Sequence, residues 1–175
     1  MQTGVRVSEC SALRVGDLQL GERQGVLAIR AAKGNKARNV PLNSSARAAL
    51  AEYLAERWNL PLALKAVIAH LPSVPPTTPL WISQKGSALH VRPLTGMVDG
   101  LVAHCSARGL VPDDASPHTL RHTFATNYLK DHPNDLVGLA ALLGHRSLET
   151  TRIYVQPSAD ELADRVEGTR LNAYA

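Results

Sequence analysis

The sequence predicts a mainly helical α+β domain with a small antiparallel β-sheet or hairpin near its N-terminus. Aromatic residues make up only 4% of the 175 residues, with a single Phe. The core must therefore consist mostly of Leu, Val and Ala, which suit packed helices better than a β-sandwich. Helix-capping residues precede several helix-length segments, whereas two neighbouring early segments indicate strands. The length is that of one globular domain, or at most two small ones.

The predicted hairpin lies in the first quarter of the chain. Residues 25–31 (GVLAIRA) alternate well enough for a strand, and residues 37–42 (ARNVPL) can pair with it. Between them, residues 33–36 (KGNK) have the composition of a hairpin turn. A short helix over residues 8–15 is predicted ahead of the hairpin, ending before Gly16.

Helix start and stop signals predict the elements that follow. Asn43 or Ser44 caps one helix, Ser116 with Pro117 starts another, and Gly144 stops a third. The predicted helices span residues 44–58, 62–70, 93–108, 117–130, 134–143, 150–154 and 158–171. Residues 70–79 (HLPSVPPTTP) are rich in proline and predict a surface loop within one domain.

Composition excludes several functional classes. No segment approaches about 18 consecutive apolar residues, and the first residues lack the apolar stretch of a signal peptide. The sequence thus predicts neither a membrane protein nor a secreted one. Cys10 and Cys105 are too few for a disulfide framework and fit the reducing cytoplasm. Nineteen Lys and Arg against fifteen Asp and Glu give a net charge of +4, which permits a polyanionic partner without requiring one.

Five short pieces of the sequence carry side chains suited to chemistry. They are residues 3–9 with Arg6 and Glu9, residues 33–36 with Lys33, residues 118–121 with His118 and Arg121, residues 143–145 with His145, and Tyr154. Each piece alone has an ordinary structural interpretation. The Arg–Glu pair predicts a surface ion pair worth under about 1 kcal/mol, and the lysine a solvated turn residue. His118 and Arg121 would belong to an exposed polar stripe of their helix. His145 would cap a helix C-terminus, and Tyr154 would be a core aromatic residue.

Two chemical interpretations compete with these ordinary ones. In the first, guanidinium groups bind phosphate, Lys33 gives a proton to a leaving alkoxide, and Lys36 and Arg38 contact the DNA backbone. In the second, His118 and His122 bind zinc from one helix face, because they lie at i, i+4 spacing. Thr replaces the glutamate base of such zinc helices, and no Cys or carboxylate cluster offers an evident third ligand.

In combination, the five pieces resemble the catalytic domain of the tyrosine recombinase (phage integrase) family. TGVRVSECSALRVGDL is similar to the first arginine box of the family, and KGNKARNVPL to its lysine-bearing β-hairpin. HTLRHTFAT and LLGHRSLETTRIYVQ are similar to the second box. The similarity runs from residue 3 to about 155, and no catalytic position is missing. It implies DNA strand cleavage and rejoining, as in recombination or integration of mobile elements.

The resemblance assigns a role to each residue. The implied catalytic residues are Arg6, Lys33, His118, Arg121, His145 and the nucleophile Tyr154, with Glu9 in support and Lys36 and Arg38 on DNA. The two catalytic arginines and the later histidine bind the non-bridging phosphate oxygens, while His118 assists as acid and base. The tyrosine forms a 3′-phosphotyrosyl link, the catalytic lysine protonates the departing 5′-oxygen, and the glutamate orients the cluster.

The resemblance also implies partners and domain organisation. The partner is double-stranded DNA, with no cofactor or metal required, and the full-length form is a homo-oligomer, a tetramer on DNA. Family members carry an N-terminal DNA-binding domain and further helices ahead of the first arginine box, which begins here at Thr3. We therefore expect an N-terminally truncated catalytic domain over residues 1–175. A catalytically weak DNA-binding remnant or regulatory fragment is the alternative, since it would carry the same residues.

Overall fold

The computed structural model describes residues 2–30, 37–145 and 147–154, together with residues 163, 166 and 167. These ranges are mostly helical with one three-stranded antiparallel sheet, which confirms the predicted fold class. The helices are α1 (Val7–Ser11), α2 (Ser44–Arg57), α3 (Leu64–His70), α4 (Val91–Ser106), α5 (Pro117–Asp131), α6 (Leu136–Leu143) and α7 (Glu149–Arg152). The strands are β1 (Leu18–Leu20), β2 (Gly25–Ile29) and β3 (Arg38–Pro41).

The sheet has three strands, one more than the predicted hairpin. β2 pairs with β3 as expected, with Leu27 opposite Val40. The additional strand β1 pairs with the other edge of β2 and was not predicted, because three residues are too few to show an alternating pattern. The predicted turn, which includes Lys33 and Lys36, and the predicted helix over residues 158–171 lie outside the continuously described ranges.

Local capping chemistry starts α2 and α5 and ends α6 as predicted. The Asn43 side chain accepts from the Ala46 backbone N–H at 2.9 Å at the start of α2. Ser116 Oγ accepts from the Thr119 N–H at 3.2 Å at the start of α5. Gly144 ends α6 in the left-handed conformation with φ of 67°, where a residue without Cβ is favoured.

Helix α1 ends at Ser11, earlier than predicted, because the backbone that follows pairs with the proline-rich segment. The Val15 and Gly16 N–H groups donate to the carbonyls of Thr78 and Pro76 at 2.8 and 2.9 Å. Residues Val15–Asp17 consequently form a 3₁₀ turn instead of the last turn of a helix. A second 3₁₀ turn begins the proline-rich segment, which was predicted as a loop throughout.

Two apolar clusters form the core. The larger lies between the sheet, α2 and α3, and its fully or nearly fully buried members include Val40, Leu54, Ala55, Val67 and Leu80. The smaller joins α5 and α6 through Ala125, Leu139 and Leu143, with partly buried aromatic rings of Phe124, Tyr128 and Tyr154 packed against it. Over the part of the chain that the structure describes, no helix has the length and apolar composition needed to cross a membrane.

Gly4, just ahead of α1, allows the N-terminal segment to approach the smaller cluster closely. Its φ is +57°, and an added Cβ would overlap the Phe124 ring. We expect Gly4→Ala to lower the free energy of unfolding, measured in urea, by at least about 2 kcal/mol through backbone strain and crowding.

Gly109→Ala is the matched control for this prediction. Gly109 has a similar φ of +68°, but nothing lies within 4 Å of an added Cβ. Only the backbone cost of about 1 kcal/mol should remain. Equal losses in the two variants would contradict the packing role of Gly4.

Candidate active site

A buried carboxylate organises the N-terminal side of the site. Glu9 lies in α1, and its side chain is only 3% exposed. It accepts hydrogen bonds from the backbone N–H of Arg6 at 2.9 Å and from Arg6 Nη1 at 3.1 Å. The predicted Arg6–Glu9 pair is therefore present, but its acidic partner is buried, unlike the carboxylate of an ordinary surface pair.

Arg38 is the second partner of this carboxylate. Its Nη1 and Nη2 donate to the two oxygens of Glu9 at 2.9 and 2.8 Å, and its Nε donates to the Leu142 carbonyl at 2.7 Å. The Arg38 side chain is 6% exposed. The Arg38 guanidinium therefore points into the protein, where these acceptors bind it. The expected contact between Arg38 and the DNA backbone stays a prediction.

The strand pattern contained a signal for the inward direction of Arg38. Side chains alternate along a strand, and Val40 and Leu42, on the same face as Arg38, are buried at 1% and 4% exposure. Sequence reasoning missed this role because a positive charge next to a hairpin turn indicates a solvated residue, and no pattern revealed a buried carboxylate opposite it.

The two partners keep Glu9 ionised despite its burial. Burial alone would raise the pKa of Glu9, but hydrogen bonds from Arg38 and from the Arg6 backbone, together with both positive charges, lower it to about 2. Glu9 is therefore negatively charged throughout the physiological range. It compensates part of the positive charge that the arginines bring together.

Arg121 approaches from α5 and converges with Arg6. Its side chain is buried, donates from Nη1 to the Gly4 carbonyl, and donates from Nη2 to the Leu143 carbonyl at 2.8 Å. Arg6 Nη1 donates to the same Leu143 oxygen at 3.3 Å. Two predicted phosphate ligands, 115 positions apart in sequence (residues 6 and 121), therefore share one oxygen acceptor at the C-terminus of α6.

Charge and burial both act on Arg121. Burial, followed by the charge of Arg6, lowers the pKa of Arg121 to about 10, so that it remains protonated at neutral pH. The free carbonyls at a helix C-terminus carry partial negative charge. The Leu142 and Leu143 carbonyls thus accept from Arg38, Arg6 and Arg121 where three cations would otherwise repel one another.

Arg6, Arg38 and Arg121 together form the arginine cluster. His145 lies beside it, immediately after Gly144. Its Nε2 is 3.3 Å from Arg121 Nη2, and its Nδ1 is 2.9 Å from the hydroxyl of Thr151. Burial, then the charges of Arg121, Arg6 and Arg38, lowers the pKa of His145 to about 4. The imidazole is therefore neutral at pH 7. Thr151 was not predicted as part of the site, since one threonine on a short helix carries no sequence signal.

Tyr154 follows α7 and faces the same region. Tyr154 is partly buried. Its ring lies nearly parallel to that of His145, with 6.3 Å between the ring centroids and 10° between the ring planes. The ring of His122 is 5.0 Å away on another side. The structure thus brings Tyr154 to the edge of the smaller core cluster, next to the arginine cluster, without enclosing it in the interior.

His118 occupies the first turn of α5, one turn ahead of Arg121, and is exposed like His122. Within the described ranges, no three His, Cys, Asp or Glu side chains come together in a way that could hold a metal ion. The zinc interpretation of His118 and His122 therefore gains no third ligand from these residues. Lys33 and Lys36, the remaining predicted site residues, lie outside the described ranges.

The buried ion pair makes a stability prediction. We expect Arg38→Met to lower the free energy of unfolding at pH 7 by about 3 kcal/mol, because it removes two of the hydrogen bonds that this buried carboxylate accepts. Folding lowers the pKa of Glu9 from 4.5 to about 2, so its stabilising contribution is complete above about pH 4.5 and is lost progressively as pH falls from there through about 2. The deficit of the variant should consequently persist from pH 7 to about pH 4 and shrink below it.

Arg30→Met is the matched control in the same urea unfolding series. Arg30 Nη2 contacts Asp17 at 2.5 Å, but 49% of the Arg30 side chain is exposed, so a loss below about 1 kcal/mol is expected. A deficit of the Arg38 variant as small as that of the control would show that burial of Glu9 is not what makes the pair important.

Comparison with known proteins gives the family of the chain. The model of the phage integrase family matches residues 1–161. The tyrosine recombinase XerC of Methylobacterium sp. (strain 4-46) is 37% identical over 172 residues, covering 97% of this chain and 47% of that protein. The tyrosine recombinase XerD of Xanthomonas campestris pv. campestris is 40% identical over 151 residues, covering 86% of this chain and 43% of that protein.

Solved structures show the same likeness. The XerA recombinase superposes with a TM-score of 0.70 at 28% identity, covering 97% of this chain and 53% of that one. The XerH site-specific recombinase bound to its difH substrate superposes with a TM-score of 0.67 at 31% identity, covering 94% of this chain and 43% of that one. The chain spans about half the length of the curated relatives it matches. With the family model matched over nearly its whole length, the chain belongs to the phage integrase family.

Proposed function

We propose that this chain carries the catalytic centre of a tyrosine recombinase that cuts and rejoins DNA strands through a 3′-phosphotyrosyl intermediate. The observation that carries the proposal is the convergence of Arg6 and Arg121 on the Leu143 carbonyl oxygen, with His145 next to Arg121. Membership of the phage integrase family and the likeness to a recombinase bound to its difH substrate support it further.

The arginine pair is suited to a phosphodiester because that group develops negative charge on its non-bridging oxygens during attack. A phosphate oxygen is a stronger acceptor than a backbone carbonyl, and planar guanidinium groups donate to it in pairs. Arg6, with 32% of its side chain exposed, is the accessible member of the pair. Since the donors are already positioned and partly desolvated, little reorganisation is needed when the charge develops.

The nucleophile in this proposal is the hydroxyl of Tyr154. It loses its proton to His118, and its oxygen bonds to phosphorus as the bond from phosphorus to the 5′-oxygen breaks. Lys33 protonates that leaving oxygen, a role that rests on sequence resemblance. The phosphotyrosyl bond retains the energy of the phosphodiester, so a 5′-hydroxyl can reseal the strand without ATP or metal. Resealing to a different DNA end is recombination or integration, as in mobile elements.

The proposed partner is double-stranded DNA, and the proposed assembly is a homo-oligomer, a tetramer when the full-length form is on DNA. The likeness to the XerH site-specific recombinase, which was solved bound to its difH substrate, supports the proposal of a DNA partner. Free Cys10 and Cys105 are compatible with the cytoplasm as the proposed location.

A nicked difH duplex, from which the short cleaved strand diffuses away and prevents resealing, tests the proposed reaction. We expect the chain to form a covalent protein–DNA adduct that survives denaturing electrophoresis, and Tyr154→Phe to abolish it by removing the attacking oxygen. Tyr53→Phe is the control, because the Tyr53 hydroxyl is instead bonded to the Ile82 N–H in the larger core. DNA binding by gel shift without an adduct on difH or on any other candidate site would favour the DNA-binding remnant.

The phosphate role of the arginines predicts a salt dependence. Affinity for duplex DNA should fall about tenfold or more between roughly 50 and 200 mM salt, because phosphate contacts release counterions. Arg6→Gln should make the slope of log affinity against log salt less steep by about one. Fluorescence anisotropy measures both, and an unchanged slope in the variant would contradict a contact between Arg6 and phosphate.

A further inference from the structure

The ring of His145 is held at both of its nitrogens. Nε2 lies 3.3 Å from Arg121 Nη2, and Nδ1 lies 2.9 Å from Thr151 Oγ1. Thr151 is fully buried in α7, with 0% of its surface exposed. A hydroxyl at this depth therefore makes a specific contact with a site residue.

The chemistry of the two partners determines which nitrogen carries the proton. A guanidinium group can only donate, so the nitrogen facing Arg121 must accept. A neutral imidazole has one N–H, which is then at Nδ1 and is donated to Thr151 Oγ1. A hydroxyl accepts this hydrogen bond, whereas a methyl group of the same size would leave the N–H without a partner.

We propose that Thr151 is a positioning residue that holds the Nδ1–H of His145 and thereby keeps Nε2 directed at the arginine cluster. The inference rests on the proposed function, in which a DNA phosphate enters that cluster. When phosphate is bound, the ring takes up one proton at Nε2 from the bulk solvent, and the resulting Nε2–H donates a hydrogen bond to a non-bridging oxygen. The Nδ1–H and its bond to Thr151 remain unchanged, and the phosphate charge offsets the arginines that disfavour the protonated ring.

The position of Thr151 also links the histidine to the nucleophile. Its carbonyl accepts from the Tyr154 backbone N–H at 3.1 Å. The same residue thus contacts His145 through its side chain and the tyrosine-bearing turn through its backbone. The nearly parallel arrangement of the His145 and Tyr154 rings agrees with such a shared support.

Nitrogen-15 NMR of the imidazoles in the DNA-free chain tests the inference without reference to activity. We expect the wild type to show His145 protonated at Nδ1 at pH 7, with assignment by loss of the signal in His145→Asn. Thr151→Ser, which retains the hydroxyl, should keep this tautomer. Thr151→Val should release the ring, so that Nε2 no longer faces Arg121 and the population shifts toward protonation at Nε2. The neighbouring Thr150→Val is the matched control, because Thr150 is exposed, and it should leave the spectrum unchanged.

Adduct formation on the nicked difH duplex provides the second readout. Thr151→Val should slow the single-turnover rate about tenfold or more, less than loss of a whole donor would. It should leave DNA affinity within about twofold of wild type, while Thr151→Ser restores most of the rate. A wild-type His145 protonated at Nε2, or a Thr151→Val variant with unchanged tautomer and rate, would overturn the inference. Failure of the proposed function has a different signature: no adduct from the wild type, whatever the tautomer.

Discussion

The candidate site depends on one buried carboxylate. Glu9 has almost no solvent contact, and a buried charge is tolerated only when it is paired and hydrogen-bonded. Arg6 and Arg38, which bind it among the described residues, also reach the C-terminal carbonyls of α6. Satisfying Glu9 therefore brings α1, β3 and the end of α6 together. Displacing any one of these elements would break hydrogen bonds of the carboxylate or of a guanidinium, so these contacts determine the geometry of the cluster.

The carbonyl groups at the C-terminus of α6 also offset part of the positive charge of the arginines. Three guanidinium groups and a neutral histidine surround one carboxylate and two helix-terminal carbonyls. Partial charges at a helix end offset only part of such an excess, and a net positive charge remains. Burial, and after it the neighbouring positive charges, lowers the pKa values of Arg121 and His145. Bringing an anion into the cluster relieves the excess of positive charge, which explains why the arrangement suits a phosphodiester.

Elements specified by short-range chemistry were predictable from the sequence. The caps at Asn43 and Ser116 and the left-handed stop at Gly144 depend on side chains within three residues of the backbone they contact. The prediction placed the end of α1 too late. The backbone there donates to carbonyls about sixty positions away (residues 15 and 16 to residues 78 and 76), which no local pattern reveals. β1 was missed since three residues form a strand here only through pairing with β2.

Residue identity and order by themselves determined the fold class and the set of side chains suited to phosphate chemistry. Tertiary structure alone decided how those side chains are used. It turned Arg38 inward onto Glu9, gave Arg6 and Arg121 a shared oxygen at Leu143, and placed the Thr151 hydroxyl against His145. The physical reason is that periodicity and capping act over one helical turn, whereas burial, charge pairing and pKa shifts arise only when segments distant in sequence meet.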